Sequence, residues 1–414
     1  MFHFMSSPHI GAVLCLAALT ACTPVRKNLI GDPENPYPQT TAPKIGDIVH
    51  MPTGVRVTMQ QMLVIAGDAR IVYVGEAHDN PASHRLELQV FKALAERHPG
   101  RLAIGMEMFT HSQQPALDRW VAGELDEKAF LRESQWFDGW KMDFDYYRDL
   151  LIFARNEHIP VIALNAEKSR VLAVRSAPPE QLDPQVRAML PELDLADPYQ
   201  RAMVMEIFGN DHHARLHFDG FIRAQTLRDE TMAESAVQYL ESPAGKEKHL
   251  LVITGGDHIV YGFGIPRRVF RRLPASYVII GGQEINIGAD KKDRLMNLSL
   301  PKFPMVPYDF TAYLAYEDLS GNRVLLGVGF EPAAKGGGLT VTTVLPASNA
   351  ERAGVKQGDT MLTLDGTALK DSIDLIYALK LKRTGDHAIL QVKRQEQTLK
   401  LEVTFKEKGE KPAK

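Results

Sequence analysis

The sequence predicts an α/β protein, a mainly parallel sheet flanked by helices, followed by a small β-rich domain. Three observations carry this. From about residue 45 to 282, short β-branched runs alternate with amphipathic stretches of helical length, the pattern of a parallel sheet covered on both faces. From about 323 the pattern changes to short alternating strands with one helix. The charge changes at the same place: residues 323–414 hold 15 basic and 11 acidic residues, a net +4, and the remainder of the 414-residue chain is net −7. With 44% hydrophobic and 24% charged residues, the composition excludes a disordered chain and a polytopic membrane protein. A total charge of −3 gives no reason to expect nucleic-acid binding.

The N-terminus reads as an address. Ile10 to Leu19 is an apolar run of ten residues, too short to span a bilayer but suited to the core of a signal peptide over residues 1–21. Leu19-Thr20-Ala21-Cys22 follows and resembles a bacterial lipobox, although residues 1–9 contain no Lys or Arg. The resemblance implies a lipid on Cys22 and, with no Asp next to it, the outer membrane, facing the periplasm or the cell surface. Residues 22–44, proline-rich from 28 to 43, are the expected tether. The only cysteines are Cys15 and Cys22, so the rest of the chain has no disulfide, thiolate metal site or cysteine nucleophile.

The α/β domain is expected over 45–290. Arg70 to Val74 is the first strand, closed by Gly75. Pro81 to Arg97 is a helix, with Leu86, Val90, Phe91 and Leu94 in one stripe and Asn80 as its cap. Leu102–Met106, Pro160–Leu164, Leu250–Thr254 and Tyr277–Ile280 are further strands, and Phe221 to Leu240 is a long helix. Trp136, Trp140, Tyr146 and Tyr147 either build core or line a pocket for a planar ligand. Residues 291–322 read as a connector, 323–406 as the second domain and 407–414 as a basic tail.

The polar residues fall where the strands end. The first strand closes in Gly75-Glu76-Ala77-His78, the second in Glu107, the third in Asn165 and the fourth in Gly255-Gly256-Asp257-His258. In open α/β sheets, ligands bind at the carboxyl ends of the strands, and ionisable groups after wholly apolar runs are poorly explained by packing. Two imidazoles and one or two carboxylates there suit a divalent metal, a general acid–base pair or haem, and spacing does not choose among them. A second cluster, Asp211-His212-His213-Ala214-Arg215-Leu216-His217, either binds metal or haem or forms an exposed polar loop. Gln225, Arg228 and Asp229 either form a helix-surface network or face the site. No Walker lysine motif, Gly-x-Ser-x-Gly elbow or His-Glu-x-x-His occurs.

These residues resemble the ChaN-like family, haem-binding bacterial lipoproteins in a superfamily with the Tiki, TraB and erythromycin-esterase-like proteins. The matching runs are Tyr73-Val74-Gly75-Glu76-Ala77-His78, Gly105-Met106-Glu107-Met108-Phe109, Ala163-Leu164-Asn165, Ala224-Gln225 with Arg228 to Ala233, and Gly255-Gly256-Asp257-His258. The resemblance implies haem bound between subunits of a homodimer for iron uptake, with His78, Glu107, Asp257, His258, His213, His217 and Tyr261 as cofactor-binding candidates. The other branches imply a hydrolase or peptidase. His78, Glu107 and His258 would then hold Mn, Co or Zn, and Glu76 would act as the base beside those catalytic positions. The C-terminal part resembles a PDZ domain: Leu326-Gly327-Val328-Gly329-Phe330 matches the carboxylate-binding loop, and Ala353-Gly354-Val355-Lys356-Gln357-Gly358-Asp359 the turn that follows. This implies a partner protein's C-terminus at Gly327, Val328, Gly329 and Phe330, beside a helix over Ser372–Lys380.

Overall fold

The computed structural model describes residues 41–208, 217–288, 303–319, 324–333 and 337–406. Cys22, the signal segment, the first part of the tether, His212, His213 and the basic tail lie outside the described residues. No helix among the described residues is long and apolar enough to cross a membrane.

The first domain is an eight-stranded sheet. In chain order its strands are β1 (Ile48–His50), β2 (Val55–Val57), β3 (Ile71–Glu76), β4 (Leu102–Thr110), β5 (Val161–Asn165), β6 (His249–Gly255), β7 (Tyr277–Glu284) and β8 (Phe310–Leu314). In space they run β2-β1-β8-β7-β3-β6-β4-β5. The run from β8 to β5 is parallel, and β1 and β2 add an antiparallel edge. The strand β8 lies inside the segment expected to be a connector and pairs with both β7 and β1. The sheet therefore extends past residue 290, to Leu314.

Strand alternation divides the core between the two faces of the sheet. Val72, Val74, Ile104, Met106, Leu251 and Ile253 meet the helix Pro81–Arg97 and the aromatic stretch that contains Trp136 and Tyr147. Ile71, Tyr73, Ala103, Leu250 and Val252 meet the helices Phe218–Glu241 and Ile265–Arg272. Asn80 caps the helix Pro81–Arg97 as expected, its side chain accepting from Ala82 N at 3.0 Å. Trp136 and Tyr147 are fully buried, so that aromatic stretch is largely core.

The second domain is an antiparallel sheet with its own core, built around Leu339, Met361, Leu390, Val392 and Phe405. Its strands are β9 (Val328–Pro332), β10 (Leu339–Val344), β11 (Thr360–Leu364), β12 (Thr367–Ala368), β13 (His387–Arg394) and β14 (Gln397–Thr404). They run β14-β13-β11-β10-β9, with β12 on β11, so β9 is an edge strand. The helix Ser372–Lys380 occupies the expected residues.

Candidate functional site

The alternation that sorts the core also sorts the polar residues. Glu76 shares the parity of Val72 and Val74 and points to the face of the helix Pro81–Arg97. There Oε1 accepts from His78 Nδ1 at 2.5 Å and from the Tyr147 hydroxyl at 2.7 Å. His84 Nδ1 lies 3.2 Å from Glu76 Oε2 and 3.0 Å from Glu87 Oε2. The other His84 nitrogen faces the His78 carbonyl at 3.2 Å. Burial opposes ionisation of Glu76, but His84 and His78 hold it well below the usual carboxylate range. Burial and the neighbouring Glu76 charge push Glu87 well above it. Glu87 Oε1 is buried with no hydrogen-bond partner.

A second centre lies on the opposite face. The β4–β5 register shifts between Met106 and Thr110, and such an irregularity re-aims the side chains at a strand end. Glu107 Oε2 accepts from Thr254 Oγ1 and from Gly255 N, each at 2.7 Å. Its Oε1 lies 3.2 Å from His258 Nε2. His258 Nδ1 donates to Asp229 Oδ1 at 2.5 Å, with the Gln225 amide beside it at 3.1 Å. Gln200 holds the other Asp229 oxygen at 2.5 Å and accepts from Thr226 and the buried Arg268. Burial disfavours the imidazolium of His258, yet Glu107 and Asp229 raise its pKa to about 10. Burial likewise opposes Glu107, which His258, His78 and the Gly255 N–H nevertheless hold far below its ordinary value. Gln225 and Asp229 thus face the site, which decides between the two roles the sequence left open.

Gly255 joins the two centres. A Cβ on it would lie 3.0 Å from His78 Cε1, 3.1 Å from His78 Nε2 and 3.6 Å from Glu107 Oε2. A Cβ at Gly255 would thus crowd the His78 ring where it approaches Glu107. The strand-end residues therefore form two adjoining centres, not one point. His258 has both nitrogens engaged by carboxylates. The described residues whose donor atoms all lie within 4.8 Å of one another are Glu76, His84 and Glu87. A set of one imidazole and two carboxylates, with an unpartnered oxygen on Glu87, fits a borderline divalent cation. His84 and Glu87 were not singled out from the sequence. The signal was there, because both fall in the buried stripe that continues through Phe91 and Leu94.

Solvent reaches this region through a cleft of about 280 Å3, lined by Glu107, Asn165, Trp140, Lys168 and Arg228 among others. The His78 ring meets Trp140 edge-on at 4.9 Å. Asp257 and His217 are exposed. Tyr261 sits just past the second Gly-x-x-His turn in a left-handed conformation, φ +56°. Its ring stacks on Phe263 at 5.6 Å, and Phe263 stacks on Tyr199 at 4.7 Å, with Phe303 edge-on to Phe263 at 5.0 Å. Tyr199 is 47% exposed, so this aromatic wall opens to solvent.

In the second domain, Gly327 has φ +80°, and a Cβ there would lie 2.4 Å from Ser348 Cβ. The carbonyls of Leu325, Leu326 and Gly327 accept from Asn349 Nδ2, Ala350 N and Leu345 N. Their three N–H groups make no hydrogen bond among the described residues. Val328, Gly329 and Phe330 belong to β9, so the free N–H groups, at Leu325, Leu326 and Gly327, begin one residue before the sequence-assigned loop and end before its last three residues.

Paired Gly-x-x-His turns at the carboxyl edge of a parallel sheet, followed by a PDZ domain, define the class of the molecule. The chain belongs to the family described as haem-binding uptake, Tiki superfamily, ChaN, which matches residues 62–269. Residues 324–405 match the PDZ domain family. Of the solved structures, ChaN of Campylobacter jejuni, described as binding haem cofacially, is similar over 66% of this chain and 96% of its own, with 15% identity and a TM-score of 0.51. That likeness is one of fold. A serine endoprotease from Yersinia pestis is 23% identical over 21% of this chain and 30% of its own, with a TM-score of 0.19. The HtrA3 PDZ domain with a phage-derived ligand is 22% identical over 20% of this chain and 85% of its own, also at 0.19. No curated protein matches the chain.

Proposed function

We propose that this protein is a lipid-anchored haem-binding protein of iron acquisition whose PDZ domain docks a partner protein's C-terminus. The observation that carries the haem reading is the solvent-facing aromatic wall of Tyr199, Tyr261, Phe263 and Phe303 beside the second Gly-x-x-His turn. Planar rings with a polar tip suit a porphyrin, whose faces are apolar. Tyr261 of that wall would offer iron a phenolate; the exposed His217 would offer an imidazole, and Arg228, in the cleft beside Glu107, a cation to a propionate. Family membership supports the same reading. A lipid on Cys22 would hold the protein on the outer membrane, and a homodimer would share haem between subunits. The test is a visible titration of the protein with haemin. A saturable Soret shift, weakened in Tyr261→Phe and Tyr199→Ala, is expected; no saturable shift would overturn the reading.

A second reading is favoured by one observation, the Asp229–His258–Glu107 relay beside a buried His–Glu–Glu donor set. This is hydrolysis assisted by a divalent metal, with Glu76, His84 and Glu87 as the ion's ligands. It expects bound metal by elemental analysis and ester or peptide hydrolysis abolished in His258→Ala. Metal-free protein with no turnover would exclude it.

A further inference from the structure

A cavity of about 170 Å3 lies at the seam between the two domains. Its apolar lining comes from both: Val324, Leu325, Ile376 and Leu379 from the PDZ domain, Phe137 and Phe144 from the α/β domain. Leu325 is also the first residue of the loop whose three N–H groups are unpaired. The helix Ser372–Lys380, the second wall of a PDZ groove, is fixed to the α/β domain. Arg132 reaches Asp371 at 2.5 Å and Asp374 at 2.7 Å, Lys380 reaches Asp145 at 2.6 Å, and the Tyr377 hydroxyl donates to Glu127. Ile373 of the same helix packs into the α/β core.

The chemistry around the cavity specifies its occupant. Unpaired N–H groups in a loop with a left-handed glycine form a nest for an anion, and an exposed edge strand accepts an extended peptide. The edge here is β9, and it is closed by Pro332, which has no N–H, so a peptide pairs along Val328–Glu331. The cavity is well below the roughly 300 Å3 at which small-molecule pockets begin, and is the size of one side chain. Its charged rim groups Glu127 and Asp145 are already paired with Arg148 and Lys380, and the rest of the lining is mainly apolar, which suits an apolar side chain. The occupant is therefore an extended peptide with a free C-terminal carboxylate and a large apolar last residue.

We infer that the seam cavity receives that last side chain, so that the α/β domain reads the ligand's C-terminal residue jointly with the PDZ groove. The inference rests on the PDZ reading of the loop and edge strand. It assigns Phe137 and Phe144, outside the PDZ domain, as specificity-determining residues.

The experiment is a selection of phage-displayed peptides with free C-termini on the intact chain, followed by affinity measurements with labelled peptides. Peptides ending in a large apolar residue are expected, and amidation of their C-terminus should abolish binding. Phe137→Ala should weaken them about tenfold, roughly 1.4 kcal/mol. Phe137→Trp, which fills the cavity while keeping an aromatic ring against the core, should shift the preference to a smaller last residue. If peptides bind through a free carboxylate but neither variant changes affinity or preference, the shared pocket is wrong and the PDZ reading stands. If no peptide is selected, or amidated peptides bind equally, both fall.

Discussion

His258 lies between two buried carboxylates, and its charge is the condition on which both are tolerated. Its pKa stands at about 10 in the folded protein against 6.5 for a free imidazole. A raised folded-state value contributes stability that is fully present below pH 6.5 and is lost as pH rises through 10. Glu107 has the opposite sign: its depressed value contributes stability above the ordinary 4.5 that is lost as pH falls below it. Thermal unfolding followed from pH 4 to 10 should therefore show a maximum between those limits. The alkaline decline should be smaller in His258→Gln. An equal decline in that variant would mean that other groups cause it. Removing the ring altogether leaves Glu107 and Asp229 uncompensated, so His258→Ala should cost about 3–5 kcal/mol in chemical denaturation.

At the scale of the element, the turn after β6 places Tyr261 where the backbone is strained. A non-glycine residue at φ +56° costs about 1 kcal/mol or somewhat more, and Asn tolerates the region better. Tyr261→Asn should raise or preserve the melting temperature and weaken haemin binding at least about fivefold, one stacked ring being worth about 1 kcal/mol and the lost phenolate adding to it. A melting temperature that falls would mean that the ring is structural. The same scale shows what was legible in the sequence. The central strands and the helix Pro81–Arg97 were readable because burial on both faces leaves long apolar runs, and Asn80-Pro81 is an explicit start signal. The strands β1, β2 and β8 were not. The strands β1 and β2 span three residues each, and β8, five residues long, pairs on one side with Ile48–His50, more than 250 residues away. The two Gly-x-x-His turns and Glu107 marked the strand ends as a candidate site, but the division into two centres rests on side-chain parity and the shift in β4. His84 and Glu87 were hidden because a polar residue on an amphipathic helix looks solvated unless its place in the buried stripe is checked.

For the whole molecule, the question is what holds the PDZ domain against the segment 127–145 of the α/β domain. Exposed ion pairs contribute about 0–1 kcal/mol each, so Lys380–Asp145 alone would not fix the orientation. Arg132 differs because it serves two carboxylates, and Asp374 is largely buried, with its other oxygen accepting from Lys370 N. Reversing that charge in Arg132→Glu would set three carboxylates together at the seam next to the buried Ile373. The PDZ domain keeps its own core around Met361 and Leu390 and should stay folded, while the helix Ser372–Lys380 should leave its seat. Small-angle scattering should then report a larger radius of gyration, and protease should cut near residues 315–327 faster than in the wild type. Neither domain's own unfolding transition should be lost. The seam cavity would lose its α/β wall in the same step, so the variant should bind C-terminal peptides with the weaker affinity and broader last-residue preference of the PDZ groove alone. Unchanged scattering with unchanged cleavage would show that the apolar contacts of Ile373 and Tyr377, and not the Arg132 fork, set the arrangement of the domains.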